Sequence, residues 1–102
     1  MKVEQFLHSN QFHLYERKED CNIDCLQSYN SLVVKIETNN KDYKKIIVLG
    51  CDWDYSKTTS VHVYQFLEQF GGIYIPYNET NKRKYIQKLI DDGEIIYDER
   101  MC

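Results

Sequence analysis

From Thr59 to Phe70 the residues Val61, Tyr64, Leu67 and Phe70 recur every third position, and Val63 and Phe66 widen the stripe. That spacing predicts an amphipathic helix. Such a helix must bury its stripe against another layer, and a chain of 102 residues has room for one core only. The remaining apolar runs are short and β-branched, so the covering layer is expected to be a sheet. This narrows the fold to one α+β domain spanning 1–102, with helices on one face of a small sheet.

The strands are read from alternation and from turn residues. Phe12, Leu14 and Glu16 alternate with His13, Tyr15 and Arg17, which suits a first strand. Ser31-Leu32-Val33-Val34-Lys35-Ile36-Glu37 is a second. Thr38-Asn39-Asn40-Lys41-Asp42 reads as a hairpin connection, because Asn tolerates positive φ and supports turns. Tyr43 to Cys51 is the third strand, central because Ile46-Ile47-Val48-Leu49 is apolar throughout.

Helices are expected at three places. Val3, Phe6 and Leu7 fall at helical spacing, so a short helix is read there, stopped by Ser9-Asn10. The second is the striped helix, capped by Ser56 or Thr58 and ended by Gly71-Gly72. The third runs from about Asn81 to Asp91, capped by Asn78 or Thr80 and closed by Gly93. Lys18 to Asp24 reads as a polar turn, and Glu94 to Asp98 as a last short strand. The expected order is α-β-β-β-α-α-β, around a mainly antiparallel sheet of three to four strands.

Composition excludes several functions. Thirteen basic and sixteen acidic residues give a net charge of −3, which rules out a polycation that coats nucleic acid and is too mild for an acidic DNA mimic. A hydrophobic content of 42% excludes a disordered chain. No apolar run approaches membrane-spanning length, and Met1-Lys2-Val3-Glu4-Gln5 lacks the pattern of a secretory signal. A cytoplasmic protein with reduced thiols is therefore expected. The chain has no alanine and nine tyrosines, a bias toward AT-rich codons that fits a gene from a low-GC bacterium or its phages.

Candidate chemistry is sparse. Cys21-x-x-x-Cys25 could donate two thiolates to zinc, with Cys51, Cys102 or His62 completing the set, but a zinc knuckle shows two close pairs and only one is present. Cys51 follows the apolar run and reads as a small core residue. A Cys51–His62 dyad would need a depressed thiol pKa, and a strand cysteine in apolar surroundings tends the other way. His8 and His13 have no partner at a diagnostic spacing.

Asp52-Trp53-Asp54-Tyr55-Ser56-Lys57-Thr58-Thr59-Ser60 precedes the striped helix. Free N–H groups there could hold a phosphate, and Lys57-Thr58 superficially resembles a P-loop, but the required glycine is missing. The plainer reading is that Asp54, Ser56 and Thr58 cap the helix while Trp53 and Tyr55 pin the loop to the core. No catalytic residue, metal or cofactor is assigned.

Two surfaces remain as binding candidates. Lys82, Arg83, Lys84 and Lys88 make one side of the third helix basic, and could meet phosphates with Tyr85 stacking on a base. The acids Asp91, Asp92, Glu94, Asp98 and Glu99 follow closely and weaken that field. Exposed tyrosines are enriched where proteins bind proteins, and Tyr15, Tyr29, Tyr74, Tyr77 and Tyr97 sit at edges, turns or alternating positions.

Ser28-Tyr29-Asn30-Ser31 and the run Asp54-Tyr55-Ser56-Lys57-Thr58-Thr59-Ser60-Val61-His62-Val63-Tyr64-Gln65-Phe66-Leu67 resemble small uncharacterised proteins encoded by phages, plasmids and other mobile elements of low-GC bacteria. The resemblance spans Leu26 to Leu67, and more loosely Ile86 to Ile96. It carries no functional residues over. By size and genre such proteins look like anti-CRISPR and other anti-defence proteins. The expectation is a non-enzymatic inhibitor that blocks a host complex, a CRISPR effector in the first instance, through Tyr29, Tyr74, Tyr77, Tyr97 and the acids Asp91, Asp92, Glu94, Asp98 and Glu99. The alternative is a small nucleic-acid-binding or regulatory module that uses Lys82, Arg83, Lys84 and Lys88.

Overall fold

The computed structural model describes residues 2–6, 8–29, 31–76 and 81–101, apart from the side chains of His8 and Ser9. The elements are β1 (Lys2–Phe6), β2 (His8–Arg17), β3 (Cys21–Ser28), β4 (Ser31–Asn39), β5 (Lys45–Leu49), α1 (Lys57–Phe70), α2 (Lys82–Asp91), β6 (Ile96–Tyr97) and a final 3-10 turn, Glu99–Met101. The sheet has six strands in the order β1-β2-β3-β4-β5-β6. The first five form an antiparallel meander, and β6 returns parallel to β5. The fold is α+β, with a larger and mixed sheet in place of the expected three to four strands.

Two corrections explain the difference. Val3 to Phe6 is a strand rather than a helix, because a helix of one turn gains little from its own hydrogen bonds while pairing with β2 supplies a ladder. Cys21 to Asp24, read as a turn, opens β3. Its polarity misled the reading: Asp24 is buried, with His13 and Arg17 of β2 within hydrogen-bond distance of its carboxyl. His13, which has no partner by spacing, thus has Asp24 Oδ1 2.7 Å from Nε2 and Glu4 Oε1 3.0 Å from Nδ1.

Both helices cover one face. Leu26, Val34, Ile36, Ile47 and Leu49 meet Val63, Phe66 and Leu67 of α1 and Ile86 of α2 in a single cluster. Phe66 and Phe70 also pack on the ring of His13. The buried side of α1 is rotated from the expected stripe: Thr59, His62, Val63, Tyr64, Phe66 and Leu67 are buried, while Val61 faces out. Burial pushes the Tyr64 phenol up, and a hydrogen bond with Ser60 partly offsets the rise. Ser56 caps α1, whereas α2 is capped by Asn81 rather than Asn78 or Thr80, which lie outside the described residues. Among the described residues no helix is long and apolar enough to cross a membrane.

Candidate functional site

A cleft of about 650 Å³ is lined by Ser28, Tyr29, Ser31, Val33, Asp52, Tyr55, Ser56 and Thr59. Three local devices build it. The first is the β3–β4 connection. Ser28 pairs with Ser31, so two residues turn the chain. A bulge just before it, at Leu26/Gln27, lets the consecutive Val33 and Val34 both be buried. Tyr29 takes φ 55, in the left-handed region that Cβ-bearing residues avoid. It is held there from both ends: its N–H donates to Asn10 O at 2.8 Å, and its carbonyl accepts from Gln27 Nε2 at 2.9 Å.

The second device is the loop from β5 to α1. Gly50 donates its N–H to Val33 O, and a Cβ there would stand 2.7 Å from Leu32 O, so only glycine fits. Trp53 drops into the core and anchors the loop. Tyr55 does not: it is 81% exposed, contrary to the expectation that it pins the loop. Asp54 is not a cap either, since Oδ2 accepts from Arg83 Nε at 2.8 Å and ties α2 to this loop. Asp52 Oδ2 accepts from Ser31 Oγ at 3.0 Å and joins the loop to the start of β4.

The third device is the first turn of α1. Ser56 Oγ accepts from Thr59 N and donates to Thr59 Oγ1, both at 3.1 Å. Thr59 Oγ1 lies 3.4 Å from Ser28 Oγ, which accepts from Gln11 Nε2 at 2.9 Å. A chain of side-chain hydrogen bonds therefore runs from the helix cap through the cleft wall to β2. Its far end, Gln11, is 1% exposed, and its Oε1 has no hydrogen-bond partner among the described residues. A buried acceptor without a donor costs about 1–3 kcal/mol.

Among the described residues that line it, the cleft has hydroxyls on its walls, aromatic rings at its mouth, one carboxylate and no cation. Hydroxyls both donate and accept, so they suit a neutral polar guest rather than a phosphate. No group of three or more potential metal ligands occurs among the described residues. The Cys21–Cys25 zinc pair fails on geometry. Both lie on strand β3, four residues apart, about 13 Å of strand. Their thiols are free, whereas Cys51 is in a disulfide and is neither a reduced core thiol nor a nucleophile for His62. Cys25 is buried, and desolvation pushes its thiol up.

The chain belongs to DUF8033, a family of unknown function. The family's model matches residues 1–91. No curated protein and no solved structure matches the chain. For this DUF8033 protein the expected binding residues are therefore located by geometry alone. Tyr29 is 57% exposed at the cleft mouth, and Tyr97, exposed on β6, pairs with Leu49 toward the same end of the sheet. Tyr74 is exposed on the α1–α2 link, where its carbonyl accepts from Tyr85 Oη at 3.1 Å. Tyr77 lies outside the described residues.

Asp91, Asp92, Glu94 and Glu99 are exposed, while Asp98 is half-buried and held below the usual carboxylate range by the Arg100 backbone N–H. Lys82, Lys84 and Lys88 are exposed on α2, but Arg83 is committed to Asp54. Of these residues, Tyr29 is the one found in the described lining of the cleft. Sequence reading missed Tyr55, Ser31, Asp52 and Gln11 as members of a common site. The available signal was Tyr29 itself, a bulky residue in a two-residue connection where Gly or Asn is the easy choice.

Proposed function

We propose that this DUF8033 protein has no catalytic role and binds a segment of another protein in the cleft between Tyr29 and Tyr55. The observation that carries this reading is the backbone of Tyr29. A left-handed residue with a Cβ costs about 1–2 kcal/mol, and glycine would avoid that cost. The ring held at this cost is exposed, faces no core, and stands at the mouth of the hydroxyl-lined cleft. Strain kept at an exposed aromatic residue fits a recognition element. A peptide backbone alternates donors and acceptors, which serine and threonine hydroxyls match in either role. The absence of any cation among the described lining residues argues against a nucleic-acid strand in the cleft.

The partner follows from the resemblance to mobile-element proteins: a host defence complex, with a CRISPR effector the first to test. Purified effectors are assayed for complex formation and for inhibition of target cleavage, with a plaque assay in parallel. Tyr29→Gly and Tyr55→Ser are compared with the natural chain. The expected result is binding that falls at least about tenfold in either variant, while Tyr29→Gly folds as well as the parent. Lack of binding and of phage protection across the panel, or binding indifferent to both substitutions, refutes the proposal.

A further inference from the structure

Both helices cover one face of the sheet; among the described residues no helix covers the other, and the final 3-10 turn meets β4 with Met101 beside Gly50. Register brings Val3, Leu14, Cys25, Lys35, Val48 and Ile96 into a single cross-strand row on that open face. The next row toward the β4–β5 connection is Glu16, Ile23, Glu37 and Ile46. Val3, Ile46 and Ile96 are among the most exposed of the described aliphatic residues, and only Cys25 in the two rows is buried. Six strands with apolar residues on an uncovered face leave a surface that a second layer would bury favourably.

The charges on this face indicate what that layer is. Lys35 and Glu37 are two residues apart on β4, so both point to the open face with Ile36 between them pointing into the core. Both are half-buried, and neither has an ion-pair partner among the described residues. We infer that the open face is a homodimer interface, with a second copy of this chain packed sheet on sheet about a two-fold axis that crosses β4 at the level of Ile36.

Such an axis exchanges the two rows. Each Lys35 then faces Glu37 of the other copy, and the reverse, giving two equivalent ion pairs from one sequence. Cys25 comes to lie over Ile23, and Val48 over Ile46, so apolar positions meet apolar positions. Leu14 against Glu16 is a mismatch on β2, away from β4, and Val3 and Ile96 at the row's ends have no counterpart in the second row. Two sheets stacked this way sit about 10 Å apart with strands within about 30° of alignment. Because Lys35 carries +1 and Glu37 carries −1, the pairing is self-complementary, and a partner of uniform charge would leave one of them opposed by a like charge.

Sedimentation velocity of the full chain reads the oligomeric state. The natural chain is expected to dimerise. Lys35→Glu sets four carboxylates against one another and Glu37→Lys sets four ammonium groups, so each single variant is expected to dissociate at least about tenfold more readily. Mixing the two single variants pairs an all-acidic β4 with an all-basic one and is expected to restore a mixed dimer. The double variant Lys35→Glu/Glu37→Lys is expected to regain the homodimer. Restoration on mixing also shows that the single variants are folded. A natural chain that stays monomeric at the highest concentration reached, a dimer unchanged by both reversals, or failure of the mixture to reassociate overturns the inference. None of these outcomes bears on the cleft, whose residues lie on the helix side.

Discussion

Replacing Asp24 by alanine tests how the sheet tolerates a buried charge. Asp24 Oδ1 lies 2.7 Å from His13 Nε2 and accepts from Arg17 Nη2 at 2.8 Å. His13 is buried against Phe66 and Phe70, so its ring is poorly placed to recover the lost contact from bulk water. Breaking a fully ionic buried pair from one side costs about 3–5 kcal/mol, which bounds this imidazole–carboxylate pair from above. The cost is reduced here, because Glu4 still reaches the other ring nitrogen and the Asp24 carboxylate no longer has to be desolvated. The Arg17 bond adds little, about 0.2–1 kcal/mol, since its guanidinium is half-exposed and regains water.

The net expectation for Asp24→Ala is a loss of about 2–4 kcal/mol, a large share of the roughly 5–15 kcal/mol that holds a domain of this size. Urea unfolding followed by the fluorescence of buried Trp53, the chain's single tryptophan, reads it directly. At an m-value of about 1–2 kcal/mol/M the midpoint drops by about 2 M. Arg17→Ala is expected to cost under about 1 kcal/mol. Adding His13→Leu to Asp24→Ala is expected to recover stability, because both polar partners are then gone. If Asp24→Ala shifts the midpoint no more than Arg17→Ala, or the double variant falls further still, the imidazole–carboxylate pair is not what buries this strand.

Ser56→Ala removes the α1 cap and is expected to cost about 1 kcal/mol in the same assay, with Thr58→Ala near zero because Thr58 does not cap. Cys25 gives a pH dependence. Its thiol is pushed above the ordinary value by burial in the folded state, so the unfolded chain ionises first. Stability is therefore full below about pH 9 and falls as pH rises beyond it, and Cys25→Val is expected to flatten that limb. An unchanged slope in the variant refutes the assignment. In the same protein, a thiol-alkylating reagent is expected to modify half-buried Cys21 before buried Cys25, with Cys25 reacting only on unfolding.

The local sequence determined the elements whose signals are self-contained. The stripe from Thr59 to Phe70, its serine cap and the glycine pair after it define α1 within two residues, because helical periodicity and capping act over one or two turns. The β-branched run around Val34 and the Asn-rich link to β5 were legible for the same reason. What pairing alone decided was different. Val3 to Phe6 is helical by spacing and a strand by partnership with β2, and Cys21 to Asp24 is polar by composition and a strand by pairing with β2, where Asp24 is buried beside His13 and Arg17.

The candidate site divides in the same way. Tyr29 could be singled out from its place in a turn, but Gln11, Ser28, Asp52 and Thr59 come from four separate stretches and meet only when the meander folds under α1. The open face is invisible to any window of sequence, since each strand contributes one or two residues to a row that exists only in register. Short-range forces set the local conformation of this chain. Which charges are met, which hydroxyls converge and which face is left bare depend on contacts between residues far apart in sequence, and only the closed sheet supplies those contacts.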